Sequence, residues 1–396
     1  MCMRVPTNLT PGHFTPSCHG SLNHCCRSTL RYFAVSVYEM TWFKCLVSGS
    51  RRRYSTQPFS ARRSLLNKIY SPAFSKLEKG GPEYQALASS GRVWENWFKP
   101  QSIEPYLAAQ KKIASLLAAA DKQKASFSRR GDLFRSATRA LVKEYSHQST
   151  AIEGNTLTIG DSLIIEGELE RQLFTTINDI PSMTTETLAN LTLPSSEALL
   201  PGKDSAQVAE IRNHILISRY LTEVGLVNPG TAGVSLTDIK QLSRVMLAGT
   251  RAERLYAVAW GKRVPLGEFR TLPIRVRSNP LRIFPYHEEV PACMDRFTTW
   301  RNDCHASSKL HPLVLATQLF VYFVHIHPFL DGNGRVGRVL MADYLVRQGY
   351  LPVVFRELER EHYIKMVSDA QDGKPDHLCE AVALTQAEML FTISLR

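Results

Sequence analysis

From about residue 80 onward, apolar residues recur every three to four positions in long runs, the spacing that lays one apolar stripe along a helix. Tyr106–Lys122, Leu133–Ile152, Ser205–Val224, Leu236–Ala248, Val290–Cys304, Arg335–Gln348, Glu357–Asp369 and Pro375–Ile393 are each predicted helical on that ground. Pro312–Val324 differs in kind: it is apolar almost all round, the pattern of a helix buried inside a bundle. Pro312 suits the first position of that helix, where no backbone donor is needed. Pro328 cannot continue it, so His327 falls where helix gives way to loop. Asp204 or Ser205 can cap the start of the third run and Gly225 can stop it. Residues 177–203 are irregular and punctuated by proline, the best linker in the chain. One stretch has a different period. Ile274-Arg275-Val276-Arg277 and Leu281-Arg282-Ile283-Phe284 alternate with period two around Ser278-Asn279-Pro280, which predicts a small β-hairpin.

The densest chemistry follows the buried helix: His327-Pro328-Phe329-Leu330-Asp331-Gly332-Asn333-Gly334-Arg335-Val336-Gly337-Arg338. Gly332-Asn333-Gly334 reads as a glycine-rich turn running into a helix N-terminus, where backbone N–H groups converge into a phosphate cradle. Arg335 and Arg338 lie three apart and share a helix face. Two cations at the positive end of a helix dipole repel unless an anion sits between them. Asp331 is a hard oxygen ligand suited to Mg²⁺ shared with phosphate oxygens. His327 is a neutral-pH general base at the mouth of the cradle. His325 lacks the Pro-Phe that follows His327 and reads as a core histidine.

This run resembles the signature of the Fic family, in the variant His-x-Phe-x-(Asp or Glu)-Gly-Asn-Gly-Arg-x-x-Arg. The resemblance implies an all-α bundle with a small β-hairpin flap and an N-terminal helical region. It also implies transfer of AMP from ATP to a Ser, Thr or Tyr hydroxyl of a target protein. On that footing His327 deprotonates the hydroxyl and Asp331 holds Mg²⁺. Gly332, Asn333 and Gly334 form the anion hole for the α-phosphate, Arg335 and Arg338 hold the β- and γ-phosphates, and Phe329 turns inward to pin the loop. Far upstream, Ser149-Thr150-Ala151-Ile152-Glu153-Gly154 resembles the family's inhibitory motif, in which the glutamate pairs with the second arginine of the signature. Glu153 would then occupy the Arg338 donors that otherwise take phosphate, with Ser149 as the motif's first residue. The period-two stretch lies where the family's flap holds a target segment by strand addition. Ile274, Val276 and Ile283 are its expected target-binding residues, while Arg275, Arg277 and Arg282 give it a basic polar face suited to an acidic target.

Composition changes the picture mainly at one end. The chain has 396 residues and a net charge of +12, room for two domains of ordinary size. Residues 1–75 hold ten Lys or Arg against the single acid Glu39, so +9 of that charge sits there and only +3 on the rest. The remainder shows no basic-aromatic interleaving, and no nucleic-acid partner is expected. The division expected is a basic, disordered targeting segment over 1–75, a helical region with the inhibitory motif over 76–200, and a core over 201–396. The Arg- and Ser-rich start resembles a mitochondrial transit peptide, with Arg52-Arg53-Tyr54-Ser55 as a cleavage site and Met40 as an alternative start; the other location expected is the cytoplasm. Phe33 to Ser48 is short and carries Glu39 and Lys44, so no membrane span is expected. Five of the eight cysteines fall in this segment, in spacings that match no standard zinc site.

Two other functions share these residues. The same site could remove AMP from a target, with Glu153 aligning a water. It could also be a non-enzymatic nucleotide-binding module, which the retained His327 argues against. Doc-type kinases have Lys where this chain has Gly334, which favours nucleotidyl over phosphoryl transfer. The expected partners are ATP, Mg²⁺ and a protein with a Ser, Thr or Tyr acceptor; a homodimer is a further arrangement.

Overall fold

A helix that is apolar all round needs neighbours on every side, and Pro312–Ile326 has them: each of residues 313–326 is buried. The computed structural model describes residues 57–394 apart from 129–130, 178, 254–263, 277–278 and 357. The main helices are α1 (Gln57–Phe74), α2 (Pro82–Ser90), α3 (Arg92–Phe98), α4 (Glu104–Lys112), α5 (Ala114–Ser128), α6 (Gly131–Ile152) and α7 (Ile159–Gln172). They continue with α8 (Ser205–Val227), α9 (Leu236–Leu247), α10 (Val290–Ser307), α11 (Pro312–Ile326), α12 (Asn333–Arg347), α13 (Arg360–Gln371) and α14 (Asp376–Ser394). The chain divides into Met1–Thr56 and Gln57–Arg396. The first unit, with the targeting expectation and the tail cysteines, lies outside the described residues.

At the centre α11 packs against α12, with α10, α13 and α14 also on α11 and α8 on the far side of α12. Gly337 permits the central crossing, because a Cβ there would come within 3.0–3.1 Å of Val324, Phe320 and Phe323. Local chemistry starts the flanking helices: Thr158 with Asp161 and Ser235 with Asp238 form capping boxes at α7 and α9, satisfying amides that would otherwise lack partners. Asp204 caps α8, as its position before the apolar run suggests.

Four expectations need correction. The run expected as one helix over Tyr106–Lys122 breaks at Ile113 into α4 and α5. The segment expected to be disordered to residue 75 is helical from Gln57. Its Leu65, Leu66, Ile69, Tyr70 and Phe74 form one apolar face on the core, a stripe hidden among Arg and Ser. The linker over 177–203 is tied to the bundle: Leu188, Leu199 and Leu200 are buried, and Pro194 and Met183 carbonyls accept from Arg212 (2.8 Å) and Tyr220 (2.9 Å). The period-two stretch forms no strand among the described residues; its one antiparallel bridge joins Val276 and Asn279. Side chains from elsewhere take the carbonyls a partner strand would use. Arg62 donates to Pro280 O (3.1 Å) and Arg282 O (2.7 Å), and Trp94 Nε1 donates to Ile283 O (3.0 Å). Among the described residues, no helix is long and apolar enough to cross a membrane.

Candidate active site

His327 closes α11 in the left-handed backbone region, at φ 53°, where a non-glycine residue is uncommon and must be held by its surroundings. Its N–H donates to Phe323 O (3.1 Å). Arg270 grips the following peptide, donating from Nε to His327 O (2.8 Å) and from its own N–H to Pro328 O (2.9 Å). Nη2 of Arg270 ties the same cluster to Pro285 O (2.6 Å). Burial lowers the Arg270 guanidinium to about 10, so it remains a cation at neutral pH. Sequence reasoning gave Arg270 no role, and its only local signal is the Gly267-Glu268-Phe269-Arg270 turn.

The His327 ring lies 3.0 Å from Val324 O through Nδ1. A carbonyl only accepts, so Nδ1 carries the proton and Nε2 is the basic nitrogen. Burial pushes the imidazole down to about 4, a shift that the nearby carboxylates of Glu153 and Asp331 moderate. The ring is therefore neutral near pH 7 and ready to accept a proton. Phe284 packs on it with centroids 4.7 Å apart. His325 is buried elsewhere, edge-on to Trp94 and Phe98 at 4.8 and 5.0 Å, as a core histidine.

The turn after His327 holds itself. Asn333 Oδ1 accepts from Phe329 N–H and its Nδ2 donates to Phe329 O, both at 2.9 Å. Phe329 is fully buried against Phe269 and Phe323. The Asn333 carboxamide is thus committed to the loop, and only its backbone N–H is left for an anion. Gly332 opens α12 at φ 76°, and the first-turn amides of Asn333, Gly334 and Arg335 have no intrahelical acceptor. Asp331 is 41% exposed and lies 3.3 Å from Arg335 Nη2. No group of three or more His, Cys, Asp or Glu able to hold a metal occurs among the described residues. A single carboxylate at a phosphate cradle nevertheless fits Mg²⁺, which commonly takes one or two carboxylates plus phosphate oxygens and water.

The two arginines sit at the same mouth in different states. Arg338 is engaged: Nε donates to Ser149 Oγ, and Nη2 to Ser149 O and Glu153 Oε1, each at 2.7 Å. Arg335 is buried, yet among the described residues its Nε and Nη1 have no hydrogen-bond partner. Glu153 stands on Gly334, where a Cβ would meet Glu153 Oε1 at 2.2 Å, so any side chain at 334 excludes this placement of Glu153. The Glu153 side chain is surrounded by protein yet 37% exposed through the open mouth. Burial raises its carboxyl, but Arg338 and Arg335 outweigh that and hold it below the usual range, so it is ionised at neutral pH. The end of α6 that presents it is clamped by Phe355 N–H on Gln148 Oε1 (2.8 Å) and Arg360 Nε on Ile152 O (2.6 Å). Beneath, Ser146 of α6 meets His214 of α8 at 3.1 Å.

The flap residues fare unequally. Ile274 and Val276 are half-buried at the surface, whereas Ile283 is 1% exposed and packed in the core. Arg282 is also buried, pairing with Asp372 (2.6 Å) and Ser368 (2.8 Å), so it adds nothing to an exposed basic face. Arg277 lies outside the described residues.

Residues 233–345 match the Fic/DOC family. The chain is 29% identical over 264 residues, 67% of its length and 44% of the other's, to the protein adenylyltransferase Fic of Drosophila melanogaster. It is 38% identical over 107 residues, 27% and 21% of the two chains, to that of Drosophila ananassae. It thus spans less than half the length of these relatives. Among solved structures, Fic-1 from C. elegans aligns with TM-score 0.50 and 17% identity over 93% of this chain and 99% of that one, a likeness of fold. Residues 233–345, which contain the whole 327–338 turn, are a domain of the Fic/DOC family.

Proposed function

We propose that this chain is a protein adenylyltransferase, moving AMP from Mg-ATP to a Ser, Thr or Tyr hydroxyl of a target protein, and that Glu153 restrains it. One observation carries the reading: a neutral, Nδ1-locked histidine lies beside a helix N-terminus and two buried arginines, and one of those arginines is held by Glu153 at 2.7 Å. The adenylyltransferase names of the Drosophila relatives support it.

In this reading Nε2 of His327 takes the proton of the target hydroxyl as its oxygen attacks the α-phosphorus. The bond from that phosphorus to the bridging oxygen breaks, and pyrophosphate leaves. First-turn amides of α12 and Arg335 stabilise the charge that builds on the phosphate oxygens. Asp331 would hold Mg²⁺, which neutralises charge on the phosphates. Arg338 can bind the terminal phosphate only after Glu153 leaves, since both need the same Nη2 donor. Hydrolytic removal of AMP from a target, which releases AMP and the free hydroxyl, has one point in its favour: Glu153 is ionised, solvent-reachable and close enough to His327 to interact electrostatically, as a water-aligning carboxylate must be.

The test is transfer of label from α-³²P-ATP, including self-modification, by wild type and Glu153→Gly. A competitor favouring the closed state by about 3 kcal/mol holds the competent population down by about two orders of magnitude. Labelling should rise by up to that factor in Glu153→Gly and vanish in Glu153→Gly/His327→Ala. Equal, low labelling in wild type and Glu153→Gly, with ATP bound by both, would remove Glu153 from the account.

A further inference from the structure

Arg335 faces two carboxylates: Asp331 at Nη2 (3.3 Å) and, at Nη1, Glu210 of α8. Its Oε1 is 3.6 Å from Arg335 Nη1, too far for a hydrogen bond. Its Oε2 accepts from Asn155 Nδ2 at 3.0 Å. Asn155 comes two residues after Glu153, and that stretch is gripped by the same turn of α8. Asn155 Nδ2 also donates to Gln207 O (3.0 Å), and Thr156 N–H to Gln207 Oε1 (2.6 Å). One carboxylate therefore touches both the segment that carries Glu153 and the arginine that still has donors to offer.

We infer that Glu210 couples nucleotide occupancy at Arg335 to release of Glu153 from Arg338; this rests on reading the site as a nucleotide site restrained by Glu153. A phosphate reaching Arg335 takes Nε and Nη1, which make no hydrogen bond among the described residues, and brings a like charge against Oε1 of Glu210. Glu210 is pushed off, and Asn155 loses an acceptor. The 153–156 segment loosens from α8 about Gly154, whose φ of 97° marks a pivot that other residues rarely adopt. Glu153 then leaves Arg338, whose donors become available to the terminal phosphate. Coupling of this kind is reciprocal: a seated Glu153 keeps Asn155 on Glu210 and Glu210 beside Arg335, which opposes phosphate entry. Glu210 touches no reacting atom, so it is a positioning residue.

Two variants separate the parts. Glu210→Gln removes the charge at Arg335 but leaves Asn155 an acceptor; Asn155→Ala removes the clip and leaves the charge. The readouts are Mg-ATP binding by calorimetry and amide hydrogen exchange over 152–157 with and without nucleotide, neither of which needs turnover. In wild type, nucleotide should raise exchange over 152–157. Glu210→Gln should bind Mg-ATP about tenfold tighter, within the usual span of coupling, without that rise. Asn155→Ala should exchange fast before nucleotide is added and bind more tightly. In a Glu153→Gly background, Asn155→Ala should shift affinity by less than about twofold, because no lock remains to release. Wild-type affinity in Glu210→Gln with the nucleotide-dependent exchange intact would overturn the coupling. So would an Asn155→Ala effect that is equal with and without Glu153. Absence of Mg-ATP binding in wild type and Glu153→Gly alike would overturn the nucleotide-site reading itself, a separate result.

Discussion

Two turns meet at His327 and are held in opposite ways. The 327–333 turn is tied at its centre by its own residues, with Asn333 closing on Phe329 from both ends, and Arg270 holds its first two carbonyls. The 279–285 turn is held from afar: Arg62 reaches Pro280 and Arg282 across 218 and 220 residues, Trp94 reaches Ile283 across 189, and Arg270 takes Pro285. A turn that supplies its own partners is written as a contiguous motif. A turn whose carbonyls are taken by distant side chains leaves only an alternating pattern, which reads as a strand.

The comparison can be broken from either side. The largest effect should come from the self-held turn: His327→Ala in a Glu153→Gly background should cut transfer about 10²–10⁴-fold, the usual worth of a general base, while Mg-ATP binding is retained. The same background offers a pH test. A base lowered to about 4 by burial is lost only as pH falls through that value, so kcat/KM should stay level from pH 8 to about 5. A limb centred at an ordinary 6.5 would place His327 in a wetter site than the one described.

Next come the distant ties. Ile283→Ala should lower stability by about 2–5 kcal/mol, the cost of truncating a buried aliphatic side chain, measurable as a denaturant midpoint. Ile274→Ala, at the half-buried surface, should stay within about 0.5 kcal/mol. Equal costs at the two positions would restore the two-sided hairpin that the alternation suggests. The smaller pair is Arg62→Ala against Asn333→Ala. Each strands buried partners at about 1–3 kcal/mol, but their consequences should differ. Asn333→Ala should lower kcat through the anion hole, whereas Arg62→Ala should act on target KM and leave Mg-ATP affinity unchanged. A loss of Mg-ATP affinity in Arg62→Ala would make the 279–285 turn part of the nucleotide site.

Much of the molecule was legible wherever the forces are local. The all-round apolar run gave α11, Pro312 and Pro328 bracketed it, and the 327–338 residues predicted the turn running into the helix N-terminus of α12. The contact between Glu153 and Arg338 was expected from the resemblance alone; forming it needs α6 docked on α8 and α12. Other features were not legible. Arg270 bonds to backbone carbonyls, and any carbonyl looks the same in sequence. The apolar face of α1 was masked by surrounding Arg and Ser, and Arg282 read as a surface cation because its partner Asp372 lies 90 residues away. Glu210 has no signature at all, since one helix turn carries it to Asn155 and Arg335 together only after the bundle closes.

By itself, then, the sequence determined the helices, the central buried one above all, and the chemistry of a twelve-residue run whose central loop closes on itself through Asn333 and Phe329. Periodicity and short loops act through neighbours a few residues away, so they survive in a linear string. Tertiary structure decided which state that chemistry rests in: Arg338 held through Nε and Nη2 by Ser149 and Glu153, Arg335 left with open donors, and the neighbouring turn locked by Arg62, Trp94 and Arg270. Each of these depends on burial and on which distant group occupies a donor first, quantities that exist only once the chain has packed.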